Sequence, residues 1–415
     1  MRTPIRALLI LVLFVPLAAC SGGTSTPRCS LKDPAALATT SPWPKFRADL
    51  HNTGTVANAM VAMNSGQLDW VFPPQDEPAK GAFSASPVLS SDGTVLYIGS
   101  NDGVEYGLHT ADGTRTAFNL AASAPITSTA LIGRRDAKDA IFVADGNGQL
   151  HGLTESSVIQ ATNWPTAFGS FVSTSPTISE TDGTLFLGAS GGLFFGVCPN
   201  GVERFNLSFT GVQSSAAIDG TGLKTMVYVG ADDRLLRAVT YNGIFKWSFA
   251  ASAPIATAVV MGVESTGTFT YVADRGGRVF KVDTAGRPAS QFTQFGAAVG
   301  PISSSPALAN GRLYFGSDDG NLYAIDATTG AKVWAAPFAT GDVIVSSPAV
   351  ATGGANPVIV FGSNDGTVYF VEDTGAAPML MAMYTIGAPV RSSPAIGSDG
   401  VIYIGADDGR VYALK

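Results

Sequence analysis

The chain of 415 residues carries 32 acidic against 25 basic side chains, a formal charge of −7, and only 14% of its residues are charged. That balance speaks against a nucleic-acid partner, whose phosphates call for a basic face. With 48 glycines and 46% hydrophobic residues, the composition is that of short buried segments joined by tight turns and is not that of a disordered chain.

Residues 1–19 have the parts of a secretory signal: Arg2 and Arg6, an apolar run from Ala7 to Val15, then Leu17-Ala18-Ala19-Cys20. The run is too short to span a bilayer. Leu-Ala-Ala-Cys resembles the lipobox of bacterial lipoproteins. The resemblance implies cleavage before Cys20, lipidation of its sulfur, and a chain anchored in the cell envelope. Ser21, where an aspartate would favour retention in the inner membrane, implies the outer membrane, with the chain facing the periplasm. Residues 20–42, rich in Gly, Ser and Thr, read as a flexible tether. Cys29 lies in this tether and Cys198 far downstream. An exported compartment permits a disulfide between them, although Cys198 also reads as a buried strand residue and Cys29 as a free thiol.

Trp43-Pro44-Lys45-Phe46-Arg47 to Asn52-Thr53-Gly54 follows, and we expect it to lie across the remainder as a cap. From there a unit of about 43 residues recurs eight times. The small residue closing its second apolar run falls at Gly99, Ala144, Gly188, Gly230, Ala273, Gly316, Gly362 and Gly405. Each unit opens with small hydroxyl residues and often proline, as in Ser304-Ser305-Pro306, which suits an innermost strand where space is least. A second run such as Val95-Leu96-Tyr97-Ile98-Gly99 is apolar almost throughout, so both of its faces must be covered. A polar turn such as Asp318-Asp319-Gly320 leads to a third strand, Leu322-Tyr323-Ala324-Ile325-Asp326. A second turn precedes a fourth strand carrying an aromatic: Phe118, Trp164, Phe205, Trp247, Phe292 or Trp334, read as docking groups.

Four strands at this period predict an all-β, eight-bladed β-propeller of four-stranded antiparallel blades over residues 43–415. The eighth copy stops after its third strand, and Gln67-Leu68-Asp69-Trp70-Val71-Phe72 has the composition of the missing fourth. The N-terminal strand is therefore expected to complete the last blade, leaving no open edge at the seam of a monomeric ring.

The unit Ser-Ser-Pro, Tyr-Phe-Gly-Ser-Asp-Asp-Gly, Leu-Tyr-Ala-Ile-Asp, Thr-Gly, Val-Trp is similar to the repeat of the pyrroloquinoline-quinone-type propellers, as is the opening Trp43 to Gly54. The resemblance implies one of two functions. Quinone-dependent dehydrogenases of this type hold a quinone, a calcium ion and a catalytic aspartate in the funnel, often beside adjacent cysteines. No adjacent cysteines and no Cys-x-x-Cys-His site occur here, and the short repeats leave little length for active-site insertions. The BamB-type lipoproteins of the outer-membrane barrel-assembly machinery share the anchor, blade number and chain length. That likeness implies a non-catalytic scaffold acting through protein contacts, with no cofactor and no metal. His51, His109 and His151 belong to no visible metal or nucleophile motif. The turn carboxylates lack the alternating ligands of a calcium loop.

Overall fold

The computed structural model describes residue 29 and residues 36–57, 59–61, 66–135, 138–154, 157–158, 164–172, 174–220, 222–289 and 300–415. The signal segment 1–19, Cys20 and Phe292 lie outside the described residues. Eight small sheets follow one another along the chain, each running outward from its innermost strand. Blade 1 is Val88–Leu89, Val95–Gly99, Val104–His109 and Arg115–Ala121, all antiparallel. Blades 3, 4 and 6 repeat this plan, and blade 5 has three described strands. Blade 2 gains Ala36–Leu37, which pairs with Leu131–Arg135, so chain from within the segment read as a tether is built into the ring. Blade 7 gains Thr55–Val56, parallel to Ala349–Ala351. In blade 8 the order is Leu68–Phe72, Val411–Leu414, Ile402–Gly405 and Ala395–Ile396: the N-terminal strand supplies the outer edge.

The repeating residues have repeating jobs. The second strand is buried on both faces because each blade is pressed between two neighbours, as in Leu185–Gly188 and Val358–Gly362. Its terminal glycine marks the tightest approach between blades. A Cβ at Gly99, Gly188, Gly230, Gly316, Gly362 or Gly405 would stand 2.1–2.5 Å from Ile126, Val212, Ile255, Ile344, Val390 or Phe83 of the next blade. Outer-strand aromatics bridge in the same direction. Trp70, Trp247 and Trp334 pack on Tyr403, Tyr228 and Tyr314 of their own blades. Their indole N–H groups donate to Thr110 O, Thr284 O and Asp373 Oδ1 of the next. Gly113 and Gly286 turn beneath Trp70 and Trp247 at positive φ, where any side chain would strike the indole.

The polar turn before the third strand is a bonded unit. Asp102, Asp319, Asp365 and Asp408 each accept the backbone N–H two residues on and the Tyr hydroxyl four residues on. Burial first, then the bond to Asp365, pushes the Tyr369 hydroxyl up to about 12. In blade 2, His151 takes the tyrosine's place and its Nε2 lies 2.9 Å from Asp145 Oδ2.

Candidate functional site

The converging inner strands leave an axial channel, and the sequence closes it in two ways. Ser-Ser-Pro supplies the first. Its leading hydroxyl accepts from the strand-end glycine of its own blade: Gly316 N to Ser304 Oγ at 3.2 Å, Gly362 N to Ser346 Oγ at 3.0 Å, Gly405 N to Ser392 Oγ at 3.2 Å. Its second hydroxyl accepts from the corresponding backbone N–H of the blade before. The sequence of bonds runs Ser86 to Thr129, Thr129 to Ser175, Ser175 to Ser215, Ala258 to Ser305, Ser305 to Ser347, Ser347 to Ser393 and Ser393 back to Ser86, at 2.9–3.2 Å. The belt is interrupted once, between Ser215 and Ala258, where blade 5 has alanine instead of a hydroxyl.

The second closure is the segment from Trp43 to Gly54, expected as a cap and found at the axis. Its carbonyls at Trp43, Pro44, Leu50, His51, Thr53 and Gly54 accept from Leu89, Ile132, Ile218, Met261, Leu308 and Val350, the inner strands of six blades, at 2.7–2.9 Å. Arg47, buried, donates to Pro348 O and Pro306 O. Asn52 Nδ2 donates to Val259 O at 2.8 Å and Ala216 O at 3.1 Å. Lys45 Nζ donates to Phe46 O, Asp49 O and Asn52 Oδ1. Burial pulls the Lys45 ammonium down to about 7, opposed by Asp49 and aided by Arg47; burial likewise pulls Arg47 down to about 9 against Asp49. His51 therefore serves through its carbonyl, and His109 stands exposed at the end of its strand.

The plug fills the channel at the face bearing the turns between first and second strands. On the opposite face a funnel of about 180 Å³ remains, floored by Phe46 and walled by the hydroxyl belt. That volume is below the roughly 300 Å³ at which ligand pockets begin. Of its rim carboxylates, Asp232 accepts from Gln213 Nε2 at 2.9 Å, Asp407 pairs with Arg391, and Asp318 accepts from Ser303 Oγ at 3.3 Å through Oδ2 while its Oδ1 has no partner. Among the described residues no group of three His, Cys, Asp or Glu side chains is placed to hold a metal ion. A planar tricarboxylate quinone and its calcium call for several cations and several free carboxylates. The funnel residues do not fit that group.

A larger crevice of about 640 Å³ lies between blades 5 and 6, but its charges satisfy one another. Glu264 accepts from Lys281 Nζ at 2.6 Å and from the Tyr271 hydroxyl, and Lys281 also lies 4.2 Å from the Phe269 ring. Arg287 Nε donates to Asp283 at 2.8 Å.

Cys29 and Cys198 form a disulfide across 169 residues, which resolves the open reading of the two cysteines. It fixes the N-terminal segment to blade 3 beside Thr184 and Arg204. Glu105 escaped the reading of the sequence. It is fully buried in blade 1, with neither carboxylate oxygen partnered, and burial drives its carboxyl well above the usual range. It pairs with Gly99 as Leu322 pairs with Gly316 and Val368 with Gly362, so a carboxyl stands where other blades present an apolar side chain. Aligning the repeats on their glycines would have exposed it.

Residues 275–415 match the sequence model of a family described as outer membrane protein assembly factor BamB. No curated protein sequence matches the chain. Among solved structures, BamB from Moraxella catarrhalis aligns with a TM-score of 0.59 at 17% identity, covering 80% of this chain and 96% of its own. Quinohemoprotein alcohol dehydrogenase from Comamonas testosteroni aligns at 0.68 and 13%, covering 91% and 81%. The computationally designed Ika8 protein aligns at 0.64 and 15%, covering 84% and 99%. At such identities these structures speak for the fold alone. The eight sheets around one axis make this chain an eight-bladed β-propeller, and its residues 275–415 are similar to the repeat of that family.

Proposed function

We propose that this chain is a lipid-anchored, non-catalytic scaffold of the bacterial cell envelope, held at the outer membrane through Cys20 and facing the periplasm, with assembly of outer-membrane β-barrel proteins as its specific task. The observation that carries the scaffold reading is the narrowed axis: Phe46 and the hydroxyl belt leave a funnel of only about 180 Å³. The family match over 275–415 favours barrel assembly among envelope roles. A rigid ring with loops on two faces suits recognition of a partner domain or an extended strand. Crosslinking in envelope membranes followed by mass spectrometry is expected to recover the barrel-forming subunit of the assembly machinery. Its consistent absence would leave an envelope scaffold of another kind.

The dehydrogenase fold neighbour keeps a second reading open to experiment. Purified chain given pyrroloquinoline quinone and calcium is expected to show no dye-linked alcohol oxidation, and turnover would replace the scaffold reading with a quinone-dependent enzyme.

A further inference from the structure

We propose that the plugged face of the propeller, around blades 4 and 5, rests directly on the lipid surface, with Leu223, Ile244, Phe245 and Val263 entering the headgroup layer. The proposal builds on the reading of Cys20 as a lipid anchor. Leu223 is 82% exposed, Val263 73%, and Ile244 and Phe245 54% each. All four sit at turns between first and second strands or between third and fourth, which emerge on one face of a propeller blade. Hydrogen bonds tie the turns into one surface. Thr181 of blade 3 bonds to Gly222 O and Thr225 Oγ1 on either side of Leu223, and Tyr241 N donates to Thr225 O. Val263 pairs with Thr268, which lines a crevice of about 460 Å³ shared with Lys246 and Trp247 of blade 4.

The path of the chain fixes which surface this face meets. Cys29 is bonded to Cys198 at the third turn of blade 3, on the same face and one loop away from Leu223. Eight residues lie between Cys20 and Cys29, a reach of at most about 30 Å when fully extended. An acyl chain on Cys20 therefore holds this face, and not the funnel, toward the bilayer. Lys246 shares its crevice with Asp219, so the proposal rests on the apolar side chains and not on attraction to anionic headgroups. Burial of aliphatic and aromatic side chains is the driving force.

The test uses the mature chain carrying Cys20→Ser, which lacks the acyl group, and vesicles of phosphatidylethanolamine and phosphatidylglycerol. Flotation is expected to show weak binding that varies little with salt. Joint replacement of Leu223, Ile244 and Val263 by Ser is expected to lower it by about tenfold or more. Replacing Met379 and Met383, exposed on the outer strand of blade 7, is expected to leave it unchanged. No binding by the Cys20→Ser chain, equal binding by the triple variant, or binding only when another envelope protein is reconstituted would overturn the proposal; the last would assign the patch to a protein partner. The mass of the N-terminal peptide from membrane-derived protein decides the anchor separately. Vesicle binding without acylation would retain the lipid-facing surface and remove the anchor, and acylation without vesicle binding would do the reverse.

Discussion

Glu105 is the residue at which the repeat departs most from its own rule. A buried carboxyl without a partner costs about 1–3 kcal/mol, and the Leu322 and Val368 positions show what the site accommodates. Glu105→Leu is therefore expected to stabilise the chain by that order at pH 8. The folded-state carboxyl is raised, so the folded chain holds a proton that the unfolded chain releases near pH 4.3. Its contribution is fully present below that pH and is lost as pH rises toward the raised value. The advantage of the variant should shrink from pH 8 toward pH 5 in urea unfolding, and parallel profiles for the two chains would refute the assignment. Ala258 offers the converse test. Ala258→Ser supplies the missing acceptor for Ser215 N and is expected to add about 0.5–1.5 kcal/mol, read as a higher urea midpoint at unchanged slope. A lower midpoint would mean that the alanine is needed for space.

At the level of elements, the strand Leu68–Phe72 bears the closure. It pairs with Val411–Leu414 and places Trp70 against Tyr403 and Phe72 against Tyr106, joining the last blade to the first. Deletion of residues 65–73 is expected to lower the melting temperature by many degrees, and an unchanged melting curve would contradict the closure. This strand was legible in the sequence because the eighth repeat ends one strand short. The blades were legible because each Gly, Asp-Gly and aromatic recurs at fixed spacing. The hydroxyl belt was legible only as smallness, since its bonds join residues some 40 apart and require the blades to be ranked around an axis. The path of Trp43 to Gly54 was legible as a cap. Its depth was not, because the acceptors of Arg47 are the carbonyls of Pro306 and Pro348, and a backbone carbonyl leaves no mark in a sequence.

For the whole molecule, stability depends on ties that span the chain. Asp373 is one: it accepts from Arg312, Tyr314 and Trp334, so blade 7 is bonded to blade 6. Burial alone would raise its carboxyl, but the bonds from Trp334, Tyr314 and Arg312 hold it below the ordinary range. The disulfide is another. Without reductant, protease digestion is expected to yield one peptide joining Cys29 to Cys198, and replacing both by Ser to cost about 2–4 kcal/mol. Separate peptides before reduction would refute the linkage.

Trp43 to Gly54 is synthesised before all eight blades, yet its partners extend to Val350, and the strand after it waits for Leu414. The full set of contacts does not exist until nearly the entire polypeptide has been made. Closure of the ring is thus governed by contacts of the longest sequence separation and comes last.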